Sequence, residues 1–297
     1  MITEMNKPAP AQPESNLMKV IRLLRWDKPA GRFILMIPAL WAVFLATHAI
    51  PPIPLVGVIV VGTFATSAAG CVINDLWDRD IDSEVERTRD RPLTSRALTI
   101  QTGIIIAIIA FACAGVIALY LNPLSFWLSV VAVPVIICYP LAKRFFPIPQ
   151  LVLSIAWGFA VLISWSAAVA KLDITTWILW SATIFWTLGF DTVYAMSDRD
   201  DDQRLGINSS ALFFGKYATN AVGIFFLLTA ILLGLLGIKM KLHIGFWITL
   251  GIATVFWFIQ YKKLGQEDIL KPYAQIFRQN VWIGFILLAG MITGLIF

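Results

Sequence analysis

Long apolar segments recur along the whole chain, and they constrain its fold more than any other feature. The chain has 297 residues, of which 59% are hydrophobic and only 14% are charged, whereas a soluble domain has ~45–50% apolar and ~25% charged residues. Unbroken apolar runs are typical of membrane-spanning helices, while a β-barrel would show short alternating segments. The sequence therefore predicts an all-α integral membrane protein.

Nine segments reach the ~20 mostly apolar residues that a spanning helix needs. They lie at residues 31–49, 54–74, 103–121, 124–141, 150–170, 174–194, 218–238, 243–261 and 279–296. Residues 1–16 are polar and proline-containing, which predicts a disordered tail. Residues 17–32 mix basic and apolar side chains, as an amphipathic helix at a membrane surface does. We therefore expect residues 17–297 to form one nine-helix domain.

The basic residues predict the orientation of these nine helices. Of the 23 lysines and arginines, all but Lys171, Lys239 and Lys241 fall in the tail and the even-numbered connections. Positive charge is enriched on the cytoplasmic side of membrane proteins. We therefore expect the amino terminus in the cytoplasm and the carboxyl terminus outside. The net charge of +5 is explained by this distribution and indicates no nucleic-acid partner.

An acidic cluster follows the second apolar segment directly. Asn74, Asp75, Asp78, Asp80 and Asp82 lie within nine residues, and three of them recur every four residues, which places them on one face of a helix. Like charges at that spacing repel, so folding alone gives no reason for them. A bound divalent cation would explain the acidic cluster, because Mg²⁺ prefers carboxylate oxygens. The alternative is an acidic, solvated loop between two helices.

A second acidic cluster follows the sixth apolar segment and falls on the same predicted side. Asp198 and Asp202 are four residues apart and lie 120 residues after Asp78 and Asp82. The offset is consistent with two four-helix repeats followed by a ninth helix, with the site between the halves. Two acidic clusters at the ends of apolar segments predict a functional site more strongly than one.

The chemistry that suits such a site is the binding of a diphosphate. Mg²⁺ usually binds substrate phosphates as well as carboxylates, and arginine can hold phosphate oxygens with two donors. An isoprenoid diphosphate would need both a polar site and an apolar groove inside the bundle. Loss of diphosphate from an allylic chain leaves a carbocation, which aromatic faces stabilise. The three cysteines, two histidines and the absence of nucleotide-binding glycine motifs support no other cofactor.

Both clusters resemble the signatures of the UbiA-type intramembrane prenyltransferases. The first signature is matched by Asn74, Asp75, Asp78 and Asp82 with Arg87, Thr88, Arg91, Pro92 and Leu93. The second is matched by Asp191 to Asp202, followed by Gly206, Ile207, Ser209 and Ser210. The run from Tyr194 to Asp202, together with Tyr139-Pro140 and Lys143-Arg144, is similar to the 4-hydroxybenzoate polyprenyltransferase branch.

The resemblance implies nine transmembrane helices around a central cavity, an activity and a set of site residues. The activity is Mg²⁺-dependent transfer of a polyprenyl chain from its diphosphate to 4-hydroxybenzoate in ubiquinone or plastoquinone biosynthesis, at the bacterial inner membrane. The implied Mg²⁺ and diphosphate ligands are Asn74, Asp75, Asp78, Asp82, Asp198 and Asp202. Asp78, Asp82, Asp198 and Asp202 are expected to be catalytic, with Asp191 as a candidate partner of the acceptor hydroxyl. The implied substrate-binding residues are Arg32, Arg87, Arg91, Lys143, Arg144, Tyr194 and Arg199. Arg144 is the candidate for the acceptor carboxylate, with Lys143 and Arg32 as rivals.

Two alternatives are weighed against this function. A cation-coupled transporter can also use intramembrane carboxylates, but it would need them near mid-span rather than at segment ends beside basic loops. A member of the same superfamily could instead use homogentisate, a naphthoate, a chlorophyllide or haem as the acceptor. The short motifs favour 4-hydroxybenzoate among these acceptors.

Overall fold

The computed structural model describes residues 14–266 and 273–297, and these residues are helical with no strand among them. The helices are α1 (Asn16–Leu23), α2 (Ala30–Ala46), α3 (Ile53–Trp77), α4 (Ile100–Ala118), α5 (Pro123–Cys138), α6 (Pro149–Val169), α7 (Ile174–Ser197), α8 (Arg199–Leu205), α9 (Ser210–Phe214), α10 (Ala218–Met240), α11 (Ile244–Leu264) and α12 (Tyr273–Ile296). Short 3₁₀ turns occupy Asp82–Glu84, Tyr139–Arg144 and Gly215–Tyr217.

Each of the nine predicted apolar segments coincides with one long helix. Seven stretches of the described chain are long and apolar enough to cross a membrane, and they contain α3, α4, α5, α6, α10, α11 and α12. α2 is apolar but only 17 residues long. α7 is 24 residues long but carries many hydroxyl side chains and is not among the seven. Each predicted segment therefore contains a helix, but among the described residues length and composition support seven spans and not the predicted nine.

α2 and α7 lie in the middle of the bundle, which explains why they differ from the other long helices. Thr176, Thr183 and Thr187 of α7 are buried against neighbouring helices, and the Thr183 hydroxyl donates to the Leu179 carbonyl at 3.0 Å. A helix surrounded by protein needs no lipid-facing apolar surface. The rings of Trp41 in α2 and Trp186 in α7 are 4.9 Å apart in the main core.

The long helices pack side by side in chain order and return to their starting point. α3 packs on α4, α5 on α6, α6 on α7 and α7 on α10, while α12 packs on both α11 and α2. Close approach between helices depends on glycine. A Cβ on Gly284 of α12 would lie 2.9 Å from Ile37 of α2 and from Trp186 of α7.

Two expectations about local structure need correction. The amphipathic helix predicted over residues 17–32 is only α1, which ends at Leu23 because Arg25 adopts a left-handed backbone (φ 58°) and Pro29 follows. Likewise, Asn74, Asp78 and Asp82 do not share one continuous α-helix, since α3 ends at Trp77. Of the predicted tail, residues 1–13 lie outside the described residues, and α1 already begins at Asn16, with the Ser15 side chain as its cap.

Candidate active site

A cavity of about 1360 Å³ lies inside the bundle. Its walls come from α2 to α7, α12, the end of α1 with the connection that follows it, and the loop at residues 87–92. Most lining residues are apolar, among them Phe33, Phe126 and Phe285. Charged and polar residues gather at the end nearest the two acidic clusters: Arg25, Arg87, Arg91, Asp191 and Tyr194. The cavity therefore has a long apolar body and a charged mouth.

The two acidic clusters begin in the same way, each at the end of a long helix. Asp78 caps α3 with φ −97° and ψ 3°, and Asp198 caps α7 with φ −104° and ψ 8°. The backbone N–H of Asp82 donates to the Asp78 carbonyl at 2.7 Å, and that of Asp202 donates to the Asp198 carbonyl at 2.8 Å. The four-residue spacing therefore produces one further helical turn after each cap.

Two arginines hold the buried carboxylates of the first cluster. Asp75 is fully buried, and its Oδ1 accepts from Arg25 Nη2 at 2.6 Å and from Arg91 Nη1 at 3.1 Å. Arg91 Nη1 also donates to Asp82 Oδ2. Arg25 and Arg91 both line the cavity. The aspartates therefore fix two cationic groups at the mouth.

Asp78 is held by the turn that follows α5. Its Oδ2 lies 2.7 Å from Lys143 Nζ, and its Oδ1 lies 3.4 Å from Arg144 Nη1. Arg144 also donates from Nη2 to the Trp77 carbonyl at 2.6 Å. Burial raises the pKa of the Asp78 carboxyl above its ordinary value, although the Lys143 ammonium opposes this shift.

Arg87 connects the loop after the first cluster to the second cluster. Its Nε donates to Asp198 Oδ1 at 3.1 Å, its Nη2 donates to Asp198 Oδ2, and its Nη1 donates to the Tyr194 hydroxyl at 2.7 Å. Burial is the largest single influence and opposes the charged guanidinium, but the hydrogen bond to Asp198 together with the nearby Tyr194, Asp198 and Asp82 raises the pKa of Arg87 above its ordinary value. The two clusters predicted to face each other are therefore in direct contact through Arg87.

The carboxylates suit a divalent cation that also binds a substrate. Among the described residues, no three acidic, cysteine or histidine side chains converge as a complete metal site. Mg²⁺ does not require three, since one or two carboxylates usually bind it together with substrate phosphates. Burial also raises the pKa of Asp202 to about 6, with the Ser209 side chain opposing. A bound cation would favour the charged form of such carboxylates, so the oxygen donors at the mouth fit Mg²⁺.

The structure separates the predicted substrate-binding residues into two groups. Arg32, Arg87, Arg91 and Tyr194 line the cavity, as does Asp191. Arg199 is exposed at the start of α8, and within the described residues Lys143, Arg144 and Arg199 are not among the lining residues. Asn74 is half-buried in the last turn of α3.

Sequence reasoning missed Arg25 as a site residue. It appeared only as one of the basic positions of the predicted surface helix, and 50 residues separate it from its partner Asp75.

Contacts between α9 and its surroundings were also missed. The Ser210 N–H donates to Gln150 Oε1 at 2.7 Å, and its hydroxyl donates to Thr192 at 2.9 Å. No local pattern indicates either contact, because both join distant segments.

An apolar cavity inside a helical bundle, with arginines and aspartates at its mouth, is the kind of site that suits an amphiphilic molecule with an anionic head. The sequence model of the UbiA prenyltransferase family matches residues 35–290, and the chain belongs to this family. It is therefore a multi-pass membrane prenyltransferase, which excludes the transporter alternative.

Relatives and solved structures agree with this membership. A 4-hydroxybenzoate solanesyltransferase of Synechocystis sp. is 63% identical over 278 residues, covering 93% of this chain and 95% of the relative. A 4-hydroxybenzoate octaprenyltransferase of Cupriavidus pinatubonensis is 38% identical and covers 91% and 94%. The fold matches a UbiA homologue from Aeropyrum pernix, with a TM-score of 0.77 at 23% identity, covering 88% of this chain and 97% of that one. A UbiA homologue from Archaeoglobus fulgidus, solved with GPP and Mg²⁺, matches with a TM-score of 0.69 at 20% identity and covers 91% and 99%.

Proposed function

We propose that this protein transfers a polyprenyl chain from a polyprenyl diphosphate to 4-hydroxybenzoate. The new bond forms at the ring carbon ortho to the hydroxyl, giving 3-polyprenyl-4-hydroxybenzoate and diphosphate for ubiquinone or plastoquinone biosynthesis. The observation that carries the reaction is the cavity, because its apolar body suits a prenyl chain and its charged mouth suits a diphosphate. The names of the two relatives support 4-hydroxybenzoate as the acceptor.

The residues at the mouth would bind the donor head group. Arg87 and Arg91 can hold diphosphate oxygens, which compete with Asp198 and Asp82 for the same guanidinium groups. Donor binding would then free carboxylate oxygens for Mg²⁺. Its ligands would be drawn from Asn74, Asp78, Asp82, Asp198 and Asp202. Bound Mg²⁺ would neutralise the departing diphosphate.

The reaction that follows is an electrophilic aromatic substitution. The allylic C–O bond breaks and its electron pair leaves with diphosphate, after which the ring carbon attacks the allylic cation. The ring then loses a proton to a base and regains aromaticity. Asp191 is the proposed acceptor of a hydrogen bond from the substrate hydroxyl, which would make the ring more nucleophilic. Aromatic side chains that line the cavity, such as Trp157, Tyr194 and Phe277, would favour the cation and exclude water.

Asp75 has a different proposed role from the other aspartates. The resemblance implies that it binds metal, but its Oδ1 already accepts from two arginines and its side chain is fully buried. We therefore assign Asp75 to the positioning of Arg25 and Arg91.

The proposed arrangement in the membrane is nine spans with the cavity mouth on the cytoplasmic side of the bacterial inner membrane. Its support is the distribution of basic residues, since only Lys171, Lys239 and Lys241 of 23 fall on the other side. Residues 17–297 would form one domain. The similar caps at Asp78 and Asp198 support two four-helix repeats followed by α12.

The test is an assay in isolated membranes with radiolabelled 4-hydroxybenzoate, a polyprenyl diphosphate, and either Mg²⁺ or EDTA. We expect a lipid-extractable product that requires Mg²⁺. Asp78→Ala and Asp198→Ala should abolish its formation while the protein accumulates normally. Asp80→Ala is the matched control, because Asp80 is exposed and its one ion pair among residues 14–266 and 273–297 is with exposed Arg96. Product formation by both site variants would contradict the assignment of the aspartates, and product only with another aromatic acceptor would contradict 4-hydroxybenzoate.

A further inference from the structure

Arg32 is a buried cation whose side chain lacks the usual partners. It lies in the first turn of α2, is 2% exposed, and lines the cavity. Within the described residues, neither its Nε nor its Nη2 has a hydrogen-bond partner. A buried charge is costly unless it is paired and hydrogen-bonded. Within the described residues, the fold therefore leaves two donor nitrogens of Arg32 without a hydrogen-bond partner at the wall of the substrate cavity.

Aromatic rings hold the Arg32 side chain without engaging these donors. Its guanidinium carbon lies 5.4 Å from the centroid of the Trp26 ring and 5.9 Å from that of the Phe64 ring. Such contacts favour the cation through the faces of the rings. A Cβ on Gly31 would meet no atom within 4 Å, so there is open room beside this turn. The first turn of a helix also favours a negative charge.

The cations beside the acidic clusters are engaged by protein groups, whereas Lys28 and Arg278, which also line the cavity, are exposed to solvent. Arg25, Arg87 and Arg91 pair with aspartates, and Lys143 lies 2.7 Å from Asp78. One nitrogen of Arg144 donates to the Trp77 carbonyl, and Arg144 does not line the cavity within the described residues. These groups suit a diphosphate and its counter-ions. Arg32 is left for a second, separate anion.

We infer that Arg32 binds the carboxylate of the aromatic acceptor and restricts this enzyme to acceptors that carry one. The inference rests on the proposed function and replaces Arg144 as the candidate for this contact. A planar guanidinium matches a carboxylate with two parallel hydrogen bonds. A site built around such a contact rejects a neutral analogue strongly, because the buried cation would again lack a partner.

The first experiment measures acceptor use by Arg32→Met, Arg32→Lys and the wild-type protein in membranes. Arg32→Met should raise the KM for 4-hydroxybenzoate by about 10- to 100-fold, as expected for a lost hydrogen bond to a charged group, and should leave the KM for the diphosphate nearly unchanged. Arg32→Lys should recover part of the loss. Arg96→Met is the control, since the Arg96 side chain is exposed and its one ion pair within the described part of the chain is with exposed Asp80. An unchanged KM for 4-hydroxybenzoate, or equal effects on both substrates, would overturn the inference.

Two further measurements distinguish the loss of a carboxylate contact from misfolding of a variant and from failure of the proposed reaction. Wild-type protein should use or bind 4-hydroxybenzamide at least about tenfold more weakly than 4-hydroxybenzoate, and equal values would overturn the role of Arg32. Equilibrium binding of labelled 4-hydroxybenzoate without donor should be lost in Arg32→Met. Binding through Arg32 without turnover would contradict the proposed function alone. Turnover that is unaffected by Arg32→Met would contradict this inference alone, and neither binding nor turnover would contradict both.

Discussion

Tyr194 offers a way to test the arginine at the mouth without removing it. Its hydroxyl accepts from Arg87 Nη1 at 2.7 Å, while its ring lies under the same guanidinium at 4.8 Å and packs on Phe277 at 5.4 Å. Tyr194→Phe keeps both ring contacts and removes only the acceptor. Because Arg87 is partly exposed, the loss should be modest.

We expect Tyr194→Phe to lower kcat/KM for the diphosphate by about three- to tenfold. The measurement is steady-state kinetics in membranes with the diphosphate varied at saturating 4-hydroxybenzoate. Tyr217→Phe is the matched control, because Tyr217 is exposed in the turn before α10. Identical kinetics of Tyr194→Phe and wild type would show that the hydroxyl does not position Arg87.

Asp75 is the residue on which two cavity arginines depend. Asp75→Asn keeps the size of the side chain but leaves Arg25 and Arg91 without the charge that both contact. Removing one partner of a buried ion pair is strongly destabilising. We expect a lower temperature of thermal inactivation and at least about a tenfold loss of activity. Asp80→Asn should change neither, and a variant Asp75→Asn with wild-type stability and kinetics would contradict the positioning role.

Three long helices, α7, α11 and α12, are joined by one buried amide. Asn280 of α12 accepts from Trp186 of α7 and Trp257 of α11 at 3.0 Å each, and donates to Gln260 at 3.2 Å. None of these four side chains is among the described residues that line the cavity, and Trp186 and Trp257 belong to the main core. Asn280 therefore connects α7, α11 and α12 through directional contacts that apolar packing does not supply.

Asn280→Leu should destabilise the bundle without changing substrate affinity. The change leaves two indole N–H groups buried and unpaired, each costing ~1–3 kcal/mol. We expect the temperature of irreversible aggregation in detergent to fall by at least about 5 °C. Gln275→Leu on the exposed face of α12 is the control. An unchanged temperature would mean that the amide network contributes no net stability.

At the scale of helices, the sequence predicts what depends on neighbouring residues. Apolar runs are local, so all nine long helices are found near their predicted places. The end of α1 depends on the backbone of Arg25, and the pairing of Arg25 with Asp75 spans 50 residues, so neither has a local signal. The topology predicts that the two acidic clusters face each other. It does not predict which arginine lies between them, since many basic residues lie in the same connections.

The long helices of the molecule fall into two groups, those expected to face lipid and those surrounded by protein. Within the part of the chain that the structure describes, seven apolar stretches satisfy the length and composition expected of a span facing lipid. α2 and α7 are shielded by their neighbours and carry cavity residues, namely Arg32 on one and Asp191 and Tyr194 on the other. The two helices that look least like spans therefore place polar groups in the cavity, because protein surroundings tolerate polar groups that lipid would not.

The nine-span arrangement predicts which side of the membrane each end of α2 and α7 faces. Single cysteines would replace Met18 and Ile50, which flank α2, and Lys171 and Gln203, which flank α7, in a protein whose three native cysteines are changed to alanine. A membrane-impermeant maleimide applied to intact spheroplasts should label Ile50→Cys and Lys171→Cys. Met18→Cys and Gln203→Cys should react only after permeabilisation, because the basic connections are expected in the cytoplasm. Equal labelling of Lys171→Cys and Gln203→Cys would contradict a crossing by α7, and equal labelling of the other pair would contradict a crossing by α2. Retained prenyltransferase activity in each variant shows that the labelled protein is the folded one.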